Sequence, residues 1–388
     1  MSLISSCSLF KDEDPSKDFY QPLWGYNFNI GYYSSIDPIL YSDKVIFSAL
    51  DEKKNDFSAN STLEAFDKEE GNLIWRWDNN IPVQYDKFLN IHEYYINNQV
   101  LYISSGWEYG INLGTGETLF DNNHTKSNGV SFYGKDNWIF TNFTTSDNSY
   151  ESIEFTERNN FEWKVLLESR NRDTSIYYYR HTLFDDFFPN RIYFPYTKWN
   201  GEESRPNLLI YDFENKKVIL DEPISIMEGN HFIDNKPVLN GNKIYLPIHG
   251  LVACINKNTS ELIWQKKVNG NTSASGLLYA GNNLLYVKAE FGLYCIDPEN
   301  GNTLWSNEGS GEGNASRLQY HNDVIYYIGG AKFNAVDAST GEKLLSFEAP
   351  SRADDDGAFF QGVMTIDHEN DKIYTASYTH AYCYPTLR

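Results

Sequence analysis

The densest group of residues that could support metal chemistry is formed by Asp354, Asp355 and Asp356, which precede Gly357. Adjacent carboxylates offer the oxygen ligands that Ca²⁺ prefers. An EF-hand loop also requires a glutamate at its twelfth position, and none stands there when the count begins at Asp354. The sequence therefore favours a solvated loop at this point and predicts no metal ligands.

Neither the histidines nor the serines form a recognisable catalytic pattern. No His-x-x-x-His pair and no Gly-x-Ser-x-Gly turn occurs, since Gly309-Ser-Gly311 lacks the spacing. The sequence thus predicts no catalytic residue and no bound cofactor. The eight histidines are scattered along the chain: His92, His124, His181, His231, His249, His321, His368 and His380.

Four cysteines are too few for a disulfide scaffold, and their spacing matches no zinc pattern. Cys7 ends the stretch Ile4-Ser-Ser-Cys7, which resembles the lipobox of bacterial lipoproteins, although the charged and apolar regions of a signal peptide do not precede it. We expect Cys7 to carry a lipid and residues 1–18, which are acidic and polar, to form a flexible tether. The other three are Cys254, Cys295 and Cys383.

The composition excludes some classes of partner. The net charge of −21 should repel nucleic acid and anionic lipid, so we expect no binding to DNA or RNA. No apolar run approaches the roughly 20 residues of a membrane helix. Abundant Tyr, Phe, Trp, Asn and Gly favour strands and turns over helices.

One strand–turn–strand unit recurs along the chain. Its best copy runs from Gly292 to Trp305: apolar residues alternate up to Asp297, a turn contains Gly301, and Trp305 lies eight residues after Asp297. Equivalent positions recur at intervals of roughly 40–57 residues, the size of one propeller blade. Their aspartate-equivalents are residues 67, 112, 155, 212, 256, 297 and 337.

These units predict an all-β fold, an eight-bladed β-propeller of four-stranded antiparallel blades over residues 19–388. The last unit, from Asp371 to Tyr384, lacks its fourth strand, while Trp24 lies upstream of the first unit without a blade of its own. We expect the N-terminal strand to complete the last blade, which removes an open edge. Seven blades is the alternative, if the third unit merges with a neighbour.

The turn and tryptophan pattern resembles the PQQ-like repeat of quinoprotein-type β-propellers. The resemblance covers nearly the whole chain after the tether and implies that tryptophans pack between neighbouring blades. Cys254, Cys295 and Cys383 would fill the small-residue slot that Ala65 and Ala335 hold in other units. The structural tryptophans are Trp24, Trp75, Trp163, Trp264 and Trp305.

The resemblance allows two functional branches. Many alcohol-oxidising members hold PQQ and Ca²⁺ in the central funnel on a vicinal disulfide, but no two cysteines are adjacent here and no Ca²⁺-ligand set is recognisable. In length and blade count the chain resembles the non-enzymatic, BamB-type lipoproteins of outer-membrane assembly, whereas the enzymes tend to be longer. That branch implies a monomeric scaffold, lipid-anchored at the periplasmic or surface side of the outer membrane, that binds another envelope protein.

Long connections mark one face as the expected binding face. Insertions fall at residues 51–61, 144–150, 197–207 and 168–189, which we assign to the connections between second and third strands and between blades. Aromatic residues in these connections suit protein partners or sugars, and Arg180, Arg317 and Arg352 are placed near the funnel. A PQQ- and Ca²⁺-dependent oxidoreductase and a glycan-binding surface lipoprotein remain alternatives. We also place Trp107 and Tyr109 in the connection between the second and third strands of the second blade. The candidate partner-binding residues are Trp107, Tyr109, Tyr178, Phe187 and Trp199.

Overall fold

The structure is a computed structural model of the chain. It describes residues 20–28, 36–50, 61–78, 94–104, 107–123, 131–133, 138–144, 151–157, 164–169, 175–177, 183–185, 187–199, 201–225, 232–233, 235–270, 272–308 and 315–388. Cys7, Trp163, Tyr178 and Arg180 lie outside these residues, as do the insertions at 51–60 and 145–150.

The first strand, β1 (Trp24–Asn27), belongs to the last sheet, and sheets 1 to 4 follow it in order. Sheet 1 contains β2 (Ile39–Tyr41), β3 (Lys44–Leu50), β4 (Ser61–Asp67) and β5 (Leu73–Trp77). Sheet 2 contains β6 (Tyr94–Asn97), β7 (Val100–Ser104), β8 (Trp107–Asn112) and β9 (Thr118–Asn123). Sheet 3 contains β10 (Ser131–Tyr133), β11 (Trp138–Thr144), β12 (Glu151–Glu157) and β13 (Lys164–Ser169). Sheet 4 contains β14 (Ser175–Tyr177), β15 (Leu183–Phe184), β16 (Arg191–Trp199), β17 (Ser204–Asp212) and β18 (Lys217–Pro223).

The remaining sheets repeat the same strand order. Sheet 5 contains β19 (Val238–Asn240), β20 (Lys243–Ile248), β21 (Leu251–Asn256) and β22 (Leu262–Lys267). Sheet 6 contains β23 (Thr272–Tyr279), β24 (Leu285–Ala289), β25 (Gly292–Ile296) and β26 (Thr303–Glu308). Sheet 7 contains β27 (Gln319–His321), β28 (Val324–Gly329), β29 (Lys332–Asp337) and β30 (Lys343–Phe347). Sheet 8 contains β31 (Phe360–Asp367), β32 (Lys372–Ser377), β33 (His380–Pro385) and β1.

The described residues form eight antiparallel sheets, which confirms the predicted all-β fold and its blade count, and the seven-blade alternative is wrong. The last sheet is assembled from both ends of the described chain. Trp24 of β1 lies opposite Cys383 of β33, and Asn27 lies opposite His380. Sheet 4 departs from four strands because its inner strand is interrupted, so that β14 and β15 each pair with β16.

The repeated turn is built by an aspartate and a left-handed glycine. In sheet 6, Asp297 accepts a 2.8 Å hydrogen bond from the amide of Glu299, and the amide of Gly301 donates to the carbonyl of Asp297 at 2.9 Å. Gly301 has a φ of +74°, which a residue with a Cβ adopts only at a cost. A Cβ built there would also stand 2.8 Å from the Trp264 ring of the preceding sheet. Both the backbone conformation and the lack of space therefore favour glycine at this position.

Four tryptophans make one recurring contact between consecutive sheets. Each indole N–H donates to a backbone carbonyl in the turn of the next sheet, and the ring covers the glycine of that turn. The pairs are Trp24 with Lys68, Trp75 with Leu113, Trp264 with Pro298 and Trp305 with Ala338, at 3.2, 3.2, 2.9 and 3.0 Å respectively.

The small-residue slot lies directly across the sheet from each tryptophan. Cys254 pairs with Trp264, Cys295 with Trp305, and Cys383 with Trp24 in the strand register. All three thiols are free and buried, and burial raises their pKa values to about 12, 11 and 12 respectively. They are therefore neutral at physiological pH, which suits packing rather than nucleophilic chemistry.

Helical structure is minor in the described part of the chain, where the element order includes a single short 3-10 helix at Pro350–Ala353. None of the helices in the described part has the length and apolar character that crossing a membrane would require.

Candidate functional site

Two of the aromatic candidates lie in a strand rather than in a loop. Trp107 and Tyr109 belong to β8, where Trp107 pairs with Asn123 and Tyr109 with Asp121. Tyr109 is only 3% exposed, and its ring meets the edge of Trp77 at a centroid distance of 5.2 Å. The loop expected around Tyr109 is wrong, because the strand begins two residues earlier and directs this side chain into the interior.

Trp199 lies at the end of β16 and is half-buried. It pairs with Ser175 on one side and with Ser204 on the other, so it marks the end of sheet 4 where the second and third strands are joined. The predicted insertion at 197–207 is wrong in extent, because β16 continues to Trp199 and β17 begins at Ser204, so most of that range is paired strand.

Phe187 lies at the opposite end of the same sheet. Because β14 and β15 both pair with β16, the segment that contains Phe187 joins the inner strand of sheet 4 to its neighbour. The sequence placed Phe187 in a connection between blades, on the same face as Trp199. That placement is wrong, since one β-strand separates the two residues.

Phe187 and its neighbour Phe188 form an exposed aromatic pair, which we call the phenylalanine knob. Phe187 is 79% exposed and Phe188 is 41% exposed. The guanidinium of Arg191 lies 4.2 Å from the centre of the Phe188 ring, and the Lys257 ammonium lies 5.8 Å from both ring centres. A cation within about 6 Å of a ring centre is attracted to the aromatic face, which favours these ring positions.

A buried ion pair lies beside the phenylalanine knob and is hydrogen-bonded to its backbone. Asp185 of sheet 4 pairs with Lys257, which stands in a turn of sheet 5, and both side chains are almost fully buried. Asp185 also accepts hydrogen bonds from the amide of Phe187 at 2.9 Å and from the hydroxyl of Tyr193 at 3.4 Å. The backbone of the knob is thereby attached to a charge pair that joins two sheets.

The ionisation of Asp185 follows from these contacts. Burial raises its pKa, but the hydrogen bond from Lys257, the amide of Phe187 and the positive charge of Lys257 outweigh burial and lower the pKa. The sequence does not reveal this ion pair, because Asp185 and Lys257 are 72 positions apart. Lys257 follows the Asp-equivalent Asn256 just as Lys68 follows Asp67. The repeat therefore predicts the position of Lys257 in the turn, but it does not predict the partner of Lys257.

A second polar cluster lies where the innermost strands begin. Asp37 precedes β2, Tyr94 begins β6 and Arg317 precedes β27, and Asp37 accepts a 3.0 Å hydrogen bond from the amide of Met364. Burial is the main cause of a raised pKa at Asp37, and the charges of Arg317 and Lys236 partly offset it. Groups from several sheets therefore influence one another electrostatically at the inner edge of the sheets.

This inner cluster does not fit a Ca²⁺ ion of the quinoprotein type. Ca²⁺ takes six to eight oxygen ligands, whereas Asp37 supplies one carboxylate and faces the positive charge of Arg317. Among the residues that the structure describes, no three His, Cys, Asp or Glu side chains are grouped to hold a metal ion. Arg352 is engaged elsewhere, pairing with Glu348 and lying 4.4 Å from the Phe359 ring centre.

A family model described as outer membrane protein assembly factor BamB matches residues 220–385, which span the end of sheet 4 to the end of β33. No curated protein matches the chain.

Solved structures match it over nearly its full length. BamB from Moraxella catarrhalis has a TM-score of 0.63 at 10% identity, with 94% of this chain and 99% of that chain covered. Quinohemoprotein alcohol dehydrogenase from Comamonas testosteroni has a TM-score of 0.64 at 11% identity, with coverages of 94% and 76%. Chaetomium thermophilum Sqt1, solved with the N-terminus of the ribosomal protein L10, has a TM-score of 0.61 at 10% identity, with coverages of 90% and 95%.

These neighbours include a dehydrogenase and a propeller that binds another protein, so at such identities the likeness establishes the fold and leaves activity open. The family model and the BamB structure agree with the turn and tryptophan pattern read from the sequence. The chain is therefore a β-propeller that resembles BamB, and its turn and tryptophan pattern resembles the PQQ-like repeat.

Proposed function

We propose that this chain is a non-catalytic scaffold at the bacterial cell envelope that binds another envelope protein through the phenylalanine knob. Exposed aromatic side chains with a rigid backbone are typical of the anchors that supply most of the energy of protein interfaces. The observation that carries the proposal is that Phe187 is 79% exposed while its own amide is held by the buried carboxylate of Asp185. Holding the backbone of an exposed residue in place lowers part of the entropy cost of binding.

The proposal includes a lipid on Cys7 that attaches the propeller to the outer membrane, on its periplasmic or surface side. It is supported by the lipobox-like stretch Ile4-Ser-Ser-Cys7 and by the resemblance to BamB. Labelling cells with an alkyne-bearing palmitate tests it, because the full-length precursor should take up the label and a Cys7→Ser variant should not. Equal labelling of both proteins would refute the anchor and leave the partner-binding role to be tested separately.

Site-specific photocrosslinking tests the partner-binding role. A photoreactive phenylalanine at position 187 should give a discrete crosslinked product in envelope preparations, and Phe188→Ala should reduce its yield. The matched control is the same group at Leu304, which is 54% exposed on the outer strand of sheet 6. Equal crosslinking at both positions would mean that the knob is not a binding site.

A PQQ-dependent oxidoreductase is the second candidate, favoured by the similarity to the quinohemoprotein alcohol dehydrogenase. If this candidate is correct, PQQ with Ca²⁺ should raise the melting temperature and enable dye-linked oxidation of alcohols. Because the inner cluster fits Ca²⁺ poorly, we expect neither a rise in melting temperature nor oxidation of alcohols.

A further inference from the structure

The junction between sheets 7 and 8 has a leucine at the position of the docking tryptophan. Leu345 lies opposite Ala335 in the register of sheet 7, as Trp305 lies opposite Cys295 in sheet 6. Leu345 is half-buried and packs against the apolar cluster that contains Phe360 of sheet 8. Its side chain has no N–H group, so it cannot donate the hydrogen bond that Trp305 donates to the next sheet. Polar contacts between sheets 7 and 8 must therefore come from other residues.

Two histidines make a direct polar contact across this junction. His321 is the last residue of β27 in sheet 7, and His368 follows the end of β31 in sheet 8. Their Nδ1 atoms are 2.9 Å apart, which is a hydrogen-bond distance. His321 is 6% exposed, whereas His368 is open to solvent, so protons from solvent reach the pair through His368.

The contact requires that the two facing nitrogens share one proton. A protonated ring nitrogen is a donor, and an unprotonated one is an acceptor. The neutral pair and the pair with one added proton can each supply one donor and one acceptor, whichever ring carries them. When both rings are charged, every ring nitrogen carries a proton, so two N–H groups and two positive charges face each other. The second added proton therefore breaks the contact.

Neighbouring groups favour the first added proton and oppose the second. A carboxylate oxygen of Asp371 lies 2.7 Å from Nε2 of His321, where it offsets a positive charge on that ring, and Nδ2 of Asn322 lies 3.1 Å from the same nitrogen. Burial and the charge of His321 lower the pKa of His368 below its usual 6.5, although the charge of Asp367 opposes them. The stabilisation is therefore present above about pH 6.5 and is lost as the pH falls through the folded-state pKa.

The other charged groups on the elements around the pair are engaged elsewhere or exposed. Asp323 accepts a hydrogen bond from Tyr320, Arg388 pairs with Asp337, Lys372 pairs with Glu69, and Glu369 is exposed. Carboxylates with ordinary pKa values near 4 stay ionised in mild acid. The histidines are therefore the groups of this junction that change charge between neutral pH and mild acid.

We propose that His321 and His368 form a pH-sensitive contact that holds sheets 7 and 8 together at neutral pH and opens in mild acid. Opening separates the end of β27 from the end of β31 at a junction that lacks the indole hydrogen bond. The junctions with Trp24, Trp75, Trp264 and Trp305 keep their contacts, because an indole N–H does not titrate in this range. Acid therefore loosens the propeller at one junction first.

Hydrogen–deuterium exchange of the full chain, followed by mass spectrometry at about pH 7.5 and about pH 5.5, tests the proposal in the range where histidine titrates. Exchange times are scaled for the chemical rate at each pH. We expect the peptides that contain β27 and β31 to lose protection by at least about threefold in acid. Peptides that contain β19 and β23 are the internal control, because Trp264 docks sheet 5 on sheet 6, and they should keep their protection.

His368→Gln separates titration from hydrogen bonding, because glutamine can donate or accept a hydrogen bond but takes up no proton. This variant should keep the protection of β27 and β31 at both pH values, and circular dichroism checks that it is folded. The matched control is His249→Gln, because His249 is exposed and lies in the turn between β20 and β21. It should lose protection in acid as the natural chain does.

Three results would overturn the proposal. The first is equal protection of β27 and β31 at the two pH values in the natural chain. The second is the same loss in His368→Gln as in the natural chain, which would make the histidine pair a passive contact. The third is an equal loss of protection in all eight sheets, because that would be global unfolding and not the opening of one junction.

Discussion

The indole of Trp24 donates a 3.2 Å hydrogen bond to the carbonyl oxygen of Lys68, and this contact joins sheet 8 to sheet 1. The hydroxyl of Tyr374 donates to the same carbonyl at 3.2 Å. The side chain of Lys68 in turn pairs with Asp367 of sheet 8 at 2.8 Å. One turn residue thus receives three contacts from the sheet that contains both ends of the described chain.

Trp24→Ala should destabilise the propeller strongly. Trp24 is 8% exposed, and its loss removes a large buried ring together with the Lys68 hydrogen bond. We expect the free energy of unfolding to fall by about 3–5 kcal/mol, measured by urea denaturation followed by fluorescence and circular dichroism. Leu23→Ala is the control, because Leu23 is 55% exposed and should change stability by at most about 0.5 kcal/mol. Similar midpoints for the two variants would contradict a docking role for Trp24.

Gly301→Ala should cost more than Gly241→Ala. Both glycines have positive φ, +74° and +56°, but a Cβ at Gly241 meets nothing within 4 Å, whereas one at Gly301 meets the Trp264 ring at 2.8 Å. Gly241→Ala therefore measures the backbone cost alone, about 1–2 kcal/mol. Gly301→Ala should add about 1–3 kcal/mol of overpacking. Equal losses in urea denaturation would show that the indole moves aside freely.

Lys257→Met should destabilise the chain, because it leaves the buried carboxylate of Asp185 without its cation. Removing one partner of a buried pair costs about 3–5 kcal/mol. The double variant Asp185→Asn with Lys257→Met should recover part of this loss, since Asn still accepts the amide of Phe187. A double-mutant cycle from urea denaturation measures the coupling, and additive losses would mean that the pair contributes nothing.

The Lys68–Asp367 ion pair should make stability depend on pH. Burial raises the pKa of Asp367, but the hydrogen bond and charge of Lys68 outweigh it, so the pKa lies below the usual value of 3.8. The stabilisation is therefore fully present above about pH 4 and is lost as the pH falls through the folded-state pKa. Denaturation at a series of pH values measures the difference in the free energy of unfolding between the natural chain and Asp367→Asn. This difference should be largest near pH 7 and should become smaller in acid. A constant gap would contradict this linkage.

The sequence predicted the sheets because each repeat carries its own turn chemistry. The eight-residue spacing from Asp297 to Trp305 fixes a turn and the register of the next strand, which is local information. The sequence also indicates that Trp24 belongs to the missing strand, because the last unit lacks a tryptophan-bearing strand and Trp24 lies outside the other units. Both inferences depend on counting and on alternation of apolar residues.

The candidate site was less predictable because it depends on contacts between distant residues. Phe187 lies within sheet 4 and not between two blades, because the inner strand of that sheet is divided into β14 and β15. Only the pairing of both segments with β16 reveals this division. Tyr109 is an aromatic residue of the kind found in binding loops, but it lies in β8 and continues the alternation of inward and outward side chains along that strand. The partner of Lys257 lies in another sheet, and no local pattern links them.

The composite last sheet has a consequence for synthesis. Strand β1 leaves the ribosome first, yet its partner β33 is made only when almost the whole chain has been translated. Until then Trp24 and the edge of β1 have no sheet to join. Completion of sheet 8 is therefore a late event, and before it the unpaired edge of β1 is open to pairing with another molecule.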